Sequence, residues 1–142
     1  MRHLALLFCL ASFSSVSGAD VIETVAGGGS PIDVAAAETT IGALSGAASF
    51  GGEWYFAVKD KDVVLKRDSG GTLRLVAGSL GVAGFAGDGG PATVARLNQP
   101  RHIAFDSSGN LYIVDSGNIR VRKVDVYSGI ISTVAGGGSG SA

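Results

Sequence analysis

Two arginines, a histidine, an aspartate and an asparagine stand close together in the last third of this sequence: Arg101 and His102, then Asp115, Asn118 and Arg120. An imidazole, a carboxylate and guanidinium groups are the side chains from which proton transfer and anion recognition are built. The segment RHIAFD (101–106) alternates, with Ile103 and Phe105 on one face and His102, Ala104 and Asp106 on the other, which predicts a strand. After a turn at SSG (107–109), NLYIVD (110–115) is its return strand. That pairing sets Asp115 opposite Arg101 or His102. Two readings of Asp115 stay open. It is structural, as an ion pair or as a turn cap on the amides of Gly117 and Asn118, or Arg101, His102, Asp115, Asn118 and Arg120 form a binding site on one loop face.

Other chemistry is weaker. His102 is the only histidine after residue 19, and no cysteine remains beside it, so the residues build no zinc site and no cofactor is expected. Asp88 in GDGG lacks the alternating acids of a calcium loop and reads as an Asp-Gly turn. The AGGGS segments are not followed by Gly-Lys-Ser/Thr or by a helical pattern, which argues against a phosphate loop. No Gly-x-Ser-x-Gly elbow is present. Trp54 and Tyr55 read as packing residues.

The elements that would position these residues continue the same alternation. SGN (116–118) is a turn, IRVRKVDV (119–126) sets Ile119 and Val121 against Arg120 and Arg122 as a third strand, and IISTVAG (130–136) is a fourth. Four antiparallel strands in up-and-down order make one propeller blade, and the fold class is all-β. The blade is written twice. GEWYFAVKDKDVVLKRD (52–68) lies over GNLYIVDSGNIRVRKVD (109–125) at a constant offset of 57, and PIDVA (31–35) echoes PATVA (91–95). IETVAGGGS (22–30) and ISTVAGGGS (131–139) are near-identical, with a weaker copy in LRLVAGS (73–79). The expected order is an orphan outer strand at 22–30, a degenerate blade at 31–80 and a well-formed blade at 81–139.

At LNQPRHIAFDSSGNLYIVDSGNIRVRKVD (97–125) the sequence resembles the NHL repeat of β-propellers. Pro100, Asp106, Gly109, Asn110, Leu111, Tyr112, Asp115, Gly117, Asn118, Arg120 and Lys123 fit the pattern, while His102 stands where glycine is usual. In the first copy Trp54 replaces the leucine, and Val58 and Lys59 replace the Asp-x-Gly turn. The resemblance implies a six-bladed ring, of which this chain supplies about two blades and one extra strand. Such an open stack leaves sheet faces and edges bare. The chain is therefore expected to be a fragment of a longer propeller, a unit that self-associates to complete a ring, or a small β fold in its own right.

Composition bounds the partners. Residues 1–19, with Arg2 and His3 ahead of an apolar run from Leu4 to Phe13 and small residues to Ala19, read as a secretory signal peptide, placing the protein outside the cytoplasm. Beyond it, residues 20–142 hold ten basic and twelve acidic residues, and the only cysteine, Cys9, lies inside the leader. No clustered basic patch courts nucleic acid, no membrane attachment is expected after cleavage, and stability must come from packing without disulfides. The expected function is non-catalytic binding of a protein or carbohydrate. The alternative implied by the resemblance is part of a metal-dependent hydrolase or lyase of the lactonase or gluconolactonase kind.

Overall fold

A computed structural model describes residues 41–137. The segments read as leader (1–19) and orphan strand (22–30), and the first ten residues of the 31–80 blade, lie outside the described residues. Within them the chain forms two four-stranded antiparallel sheets in sequential order. The first comprises β1 (Leu44–Phe50), β2 (Glu53–Val58), β3 (Val63–Arg67) and β4 (Leu73–Ala77); the second comprises β5 (Pro100–Phe105), β6 (Leu111–Asp115), β7 (Arg120–Val124) and β8 (Ile131–Gly136). The central strands β2 and β3 fall on β6 and β7 at the offset of 57 read from the sequence, so the less regular first copy builds the same sheet.

The tight turns follow from residue type. Gly51 and Gly52 both take positive φ, 61° and 80°, which a two-residue hairpin with matching twist requires. Elsewhere an aspartate closes the turn. Asp106 accepts from the amides of Ser108 and Asn110 at 3.0 and 2.9 Å, Asp68 from Thr72 at 2.9 Å, and Asp125 from Ser128 at 2.9 Å. These bonds hold all three carboxyls below the usual carboxylate range, the largest cause being the Asn110 side-chain amide for Asp106 and the turn backbone for Asp68 and Asp125.

Most of the described core lies between the blades. Val64 and Ala77 of the first sheet meet Leu111, Ile113, Val124 and Ile131 of the second, with Ala92, Ala95 and Leu97 of the connecting segment filling the gap. A second cluster on the far face of the first sheet joins Ile41, Phe56, Val58, Val63, Leu65 and Leu73. Burying each such aliphatic side chain contributes about 1.5–3 kcal/mol. The two sheets also meet along β1 and β5, where the Ser45 hydroxyl donates to the Pro100 carbonyl at 2.6 Å, and at the turn between β2 and β3, where the Gln99 amide donates to Asp62 Oδ1 at 2.9 Å.

Candidate functional site

Strand parity decides which of the candidate residues turn inward. Along β6, Leu111, Ile113 and Asp115 are buried. On β7 the residue opposite Ile113 is Arg122, which is also fully buried. The alternation that set Arg120 and Arg122 apart as a polar face thus holds only in part, because the face carrying Arg122 and Val124 is the buried one, while Ile119 is 80% exposed.

Over this face runs the segment joining the blades, and its polar groups turn down onto the side chains. Arg122 Nη1 donates to the Arg96 carbonyl at 3.0 Å, and Nη2 donates to the Ala86 carbonyl at 3.1 Å and to Asp88 Oδ1 at 2.6 Å. Asp115 Oδ2 lies 3.6 Å from Arg122 Nη1, while Oδ1 accepts from the Asn98 amide at 2.7 Å. The Asn118 side-chain amide bridges Asp115 Oδ2 and the Gly84 carbonyl, both at 2.7 Å. Arg120 donates to the Asn118 carbonyl at 3.0 Å and stacks its guanidinium 3.9 Å above the Phe85 ring, with Arg122 at 5.0 Å from the same ring. Asp88 and Gly89 occupy the turn that the sequence suggested, closed by the Gly90 amide on the Gly87 carbonyl at 3.0 Å.

The expected pairing of Asp115 with Arg101 or His102 does not occur. A bulge between Pro100 and His102 shifts the register, so Asp115 faces Pro100 and His102 faces Val114. Nor does Asp115 cap the Gly117 amide, which donates instead to the Asn98 carbonyl at 2.8 Å. The structure therefore brings Asp115, Asn118 and Arg120 together and leaves Arg101 and His102 exposed on β5, outside the cluster. Burial lifts the Asp115 carboxyl above the usual carboxylate range, although Asn118, the Asn98 amide and Arg122 pull it down. Chemically the cluster is a clamp. Its carboxylate oxygens are occupied, and the Arg122 guanidinium is spent on linker carbonyls and the Asp88 carboxylate apart from its Nε–H, which has no acceptor among the described residues. Arg122, Phe85 and Asp88 were not singled out as partners from sequence; the parity of Arg122 with Val124 was the available signal.

Among the described residues the first blade has no such clamp. Val58 stands in the place of Asp115 and Leu65 in that of Arg122, and both are fully buried among apolar neighbours.

At the opposite end of the blades a cleft of about 250 Å³ opens between them, lined by Tyr55, Lys66, Phe105, Leu111, Val124 and Asp125 among others. Phe105 forms its aromatic wall, with Tyr55 edge-on at 4.7 Å and Phe50 stacked at 5.0 Å. Lys66 Nζ pairs with Glu53 Oε2 at 2.8 Å, and the Tyr55 hydroxyl donates to the same oxygen at 3.2 Å. Burial, then the Glu53 charge and that hydrogen bond, push the Tyr55 phenol up. Tyr55 is thus a packing residue as expected, whereas Trp54, on the other face of the strand, is 45% exposed. Among the described residues no three His, Cys, Asp or Glu are gathered where they could hold a metal ion, and no helix is long and apolar enough to cross a membrane.

Comparison with known proteins bears on the fold more than on the site. The family model of the Teneurin NHL domain matches residues 82–141, the segment of the second blade. Human Teneurin-1 is 42% identical over 40 residues, 28% of this chain and 2% of that protein, and zebrafish (Danio rerio) Teneurin-3 is 52% identical over 50 residues, 35% of this chain and 2% of that protein. The chain thus spans only a small part of these relatives. Among solved structures, a protein of unknown function from Bacteroides thetaiotaomicron is 30% identical with a TM-score of 0.54, covering 60% of this chain and 21% of that one. An auxiliary nutrient binding protein from the same organism, 22% identical, reaches a TM-score of 0.51 over 61% of this chain and 24% of its own. A virginiamycin B lyase from Staphylococcus aureus, 9% identical, reaches 0.50 over 70% and 29%. The NHL repeat and the propeller-type blades read from the sequence are both borne out.

Proposed function

We propose that this pair of NHL-type blades is an extracytoplasmic module that binds a protein or carbohydrate partner without catalysing a reaction. The observation that carries the reading is the interblade cleft. Phe105 gives it an apolar wall, while Lys66, paired with Glu53, and Asp125 give it polar edges, a combination suited to a sugar face or an amphipathic peptide side chain. The sequence-derived site contributes differently. Asp115, Asn118 and Arg120 hold the connecting segment in place, and only Arg101 and His102 remain free to meet a ligand on that end of the blades. Export rests on the leader-like residues 1–19.

Titration of the purified chain with oligosaccharide and peptide panels, followed by amide chemical shifts, tests this. Saturable shifts confined to Phe105, Lys66 and their neighbours, abolished by Phe105→Ala with the fold retained, are expected. Metal content together with turnover of lactone or ester substrates would establish the hydrolase or lyase alternative and overturn the binding reading.

A further inference from the structure

Three large apolar side chains are left bare at one end of the blades, around the mouth of the interblade cleft. Phe50, at the end of β1, is 37% exposed, and Val126 and Tyr127, in the turn between β7 and β8, are 45% and 91% exposed. Single exposed hydrophobics are ordinary, but a group gathered at one mouth marks a contact site. The glycine at 109 lets two of them reach it. That residue holds φ at 87°, and a Cβ there would sit 2.7 Å from the Phe50 ring and 3.4 Å from Val126 Cγ2. Phe50 and Val126 therefore approach each other across Gly109, over the turn between β5 and β6.

The cleft behind them has the size and lining for one side chain. Its volume is about 250 Å³, just below the roughly 300–1,000 Å³ of clefts that hold whole small molecules. Leu75 and Val76 of the first blade and Leu111 and Val124 of the second line it. Phe105 is already stacked by Phe50 and met edge-on by Tyr55, so an apolar side chain wedged among the aliphatic walls fits better than a sugar ring laid on an aromatic face. Charge then narrows the occupant. Lys66 is matched by Glu53 at 2.8 Å. Asp125 has no such match. It accepts from the Tyr127 amide at 3.1 Å and from the Ser128 amide and hydroxyl at 2.9 Å each, all on Oδ1. Among the described residues no cation comes within ion-pair distance of it, and Lys123 acts on it only at longer range.

We infer that the cleft takes one side chain of leucine or phenylalanine size from a protein partner, and that a lysine or arginine beside it in the partner meets Asp125. This rests on the binding reading above and narrows it to a peptide segment. Burying the apolar side chain among Leu75, Val76, Leu111 and Val124 supplies the affinity. The carboxylate, fixed by its turn and not by a cation, selects the sign of the flanking charge. Lys66, with one of its three hydrogens on Glu53, retains donors for a carbonyl of the same segment. A segment with an acidic residue in that place would meet Asp125 as a like charge.

Amide chemical shifts of the purified chain, followed during titration with capped dipeptides, test the inference. Acetyl-leucyl-arginine amide should shift Leu75, Val76, Phe105 and Val124 saturably, with a Kd of about 1–10 mM, the range open to so small a ligand. Acetyl-leucyl-glutamate amide should bind roughly five- to tenfold more weakly, since attraction at Asp125 becomes repulsion, and acetyl-glycyl-arginine amide should shift none of these amides. Asp125→Asn keeps a residue able to close the turn. It should erase the preference for arginine over glutamate and leave the leucine requirement intact, a change that a merely structural role would not produce. Should that variant fail to fold, about 0.5 M sodium chloride should reduce the same preference in the wild type. Equal binding of the arginine and glutamate peptides, or a preference that survives Asp125→Asn or salt, would overturn the inference. Cleft shifts produced by methyl glucoside and not by the peptides would overturn it too, while leaving the broader binding reading in place. If no probe moves the cleft amides, both readings fail.

Discussion

Replacing Arg122 by leucine should destabilise the second blade severely, and replacing Asp115 by valine in the same chain should cost almost nothing more. Arg122 and Asp115 are both 0% exposed and 3.6 Å apart. Removing Arg122 leaves Asp115 buried with its charge partner gone, and removing Asp115 leaves Arg122 buried with one of its two, a loss of about 3–5 kcal/mol. Asp115→Val falls toward the lower end because Arg122 keeps Asp88 at 2.6 Å. In the double variant no charge of this pair is stranded. What remains is the loss of the side-chain partners of the Arg96 and Ala86 carbonyls and the Asn98 amide, about 1–3 kcal/mol each when left unsatisfied. The double variant should therefore be about as stable as Arg122→Leu alone, with a coupling of about 3 kcal/mol, at the upper end for contacting residues. The valine and leucine that it sets side by side repeat the Val58 and Leu65 of the first blade. Urea unfolding at fixed protein concentration, read by the fluorescence of the single tryptophan, Trp54, and by circular dichroism, measures all three variants. A pH series adds a sign. The Asp115 carboxyl already titrates above its usual range in the fold, and losing Arg122 raises it further. A raised folded-state value means that the protonated fold is favoured, so the Arg122→Leu defect should shrink as pH falls through that value. Costs that add within about 0.5 kcal/mol would refute the clamp as a coupled unit.

The turn aspartates carry the opposite sign. Asp68, Asp106 and Asp125 have depressed carboxyls in the fold, so the stability they supply is present above the unfolded value and drains as pH falls through the lower folded ones. Between about pH 6 and about pH 3 the urea midpoint of Asp106→Asn should fall less steeply than that of the wild type, and equal slopes would contradict the assignment. Two glycines separate backbone strain from collision. Gly129, at φ 67°, has open space where a side chain would go, and its replacement by alanine should cost only about 1–2 kcal/mol for the left-handed conformation. Gly136, at φ 82°, would drive a Cβ into the Ile119 carbonyl oxygen, so Gly136→Ala should lose clearly more stability in the same unfolding assay; equal losses would show that the close approach relaxes freely.

What could be read from the sequence was whatever repeats with a short period. Alternation fixed strand type, glycines and aspartates fixed the turns, and the offset of 57 carried the second blade's pattern onto the first, where Val63 and Leu73 begin strands despite the altered turn. The site was less legible because its geometry depends on two aperiodic features. One is the bulge at Arg101, a single extra residue that moves Asp115 away from both expected partners. The other is the segment between β4 and β5, which has no periodicity to read, yet supplies the carbonyls of Gly84, Ala86 and Arg96. Without that segment overhead, an arginine alternating with a valine looks like a solvated face. Trp54 shows the same dependence: its exposure follows from strand parity against the neighbouring Tyr55, which faces the other blade.

The divergence of the two copies explains why the Teneurin NHL model, which matches 82–141, finds its pattern in the second blade. A blade needs a plug under its connecting segment, and either charge or hydrocarbon can fill the position. In the second blade the overlying segment turns the Ala86 and Arg96 carbonyls and the Asp88 carboxylate inward, and only a multi-donor group such as a guanidinium satisfies them together. Arg122 then requires a buried counter-charge, Asp115, and Asn118 fills the remaining acceptor, so the three residues are retained as a set. In the first blade the same places hold Val58, Lys61 and Leu65, and Val58 and Leu65 are fully buried among apolar neighbours. The Asp-x-x-Asn and the arginines of the repeat are thus read most economically as the requirement of one particular linker.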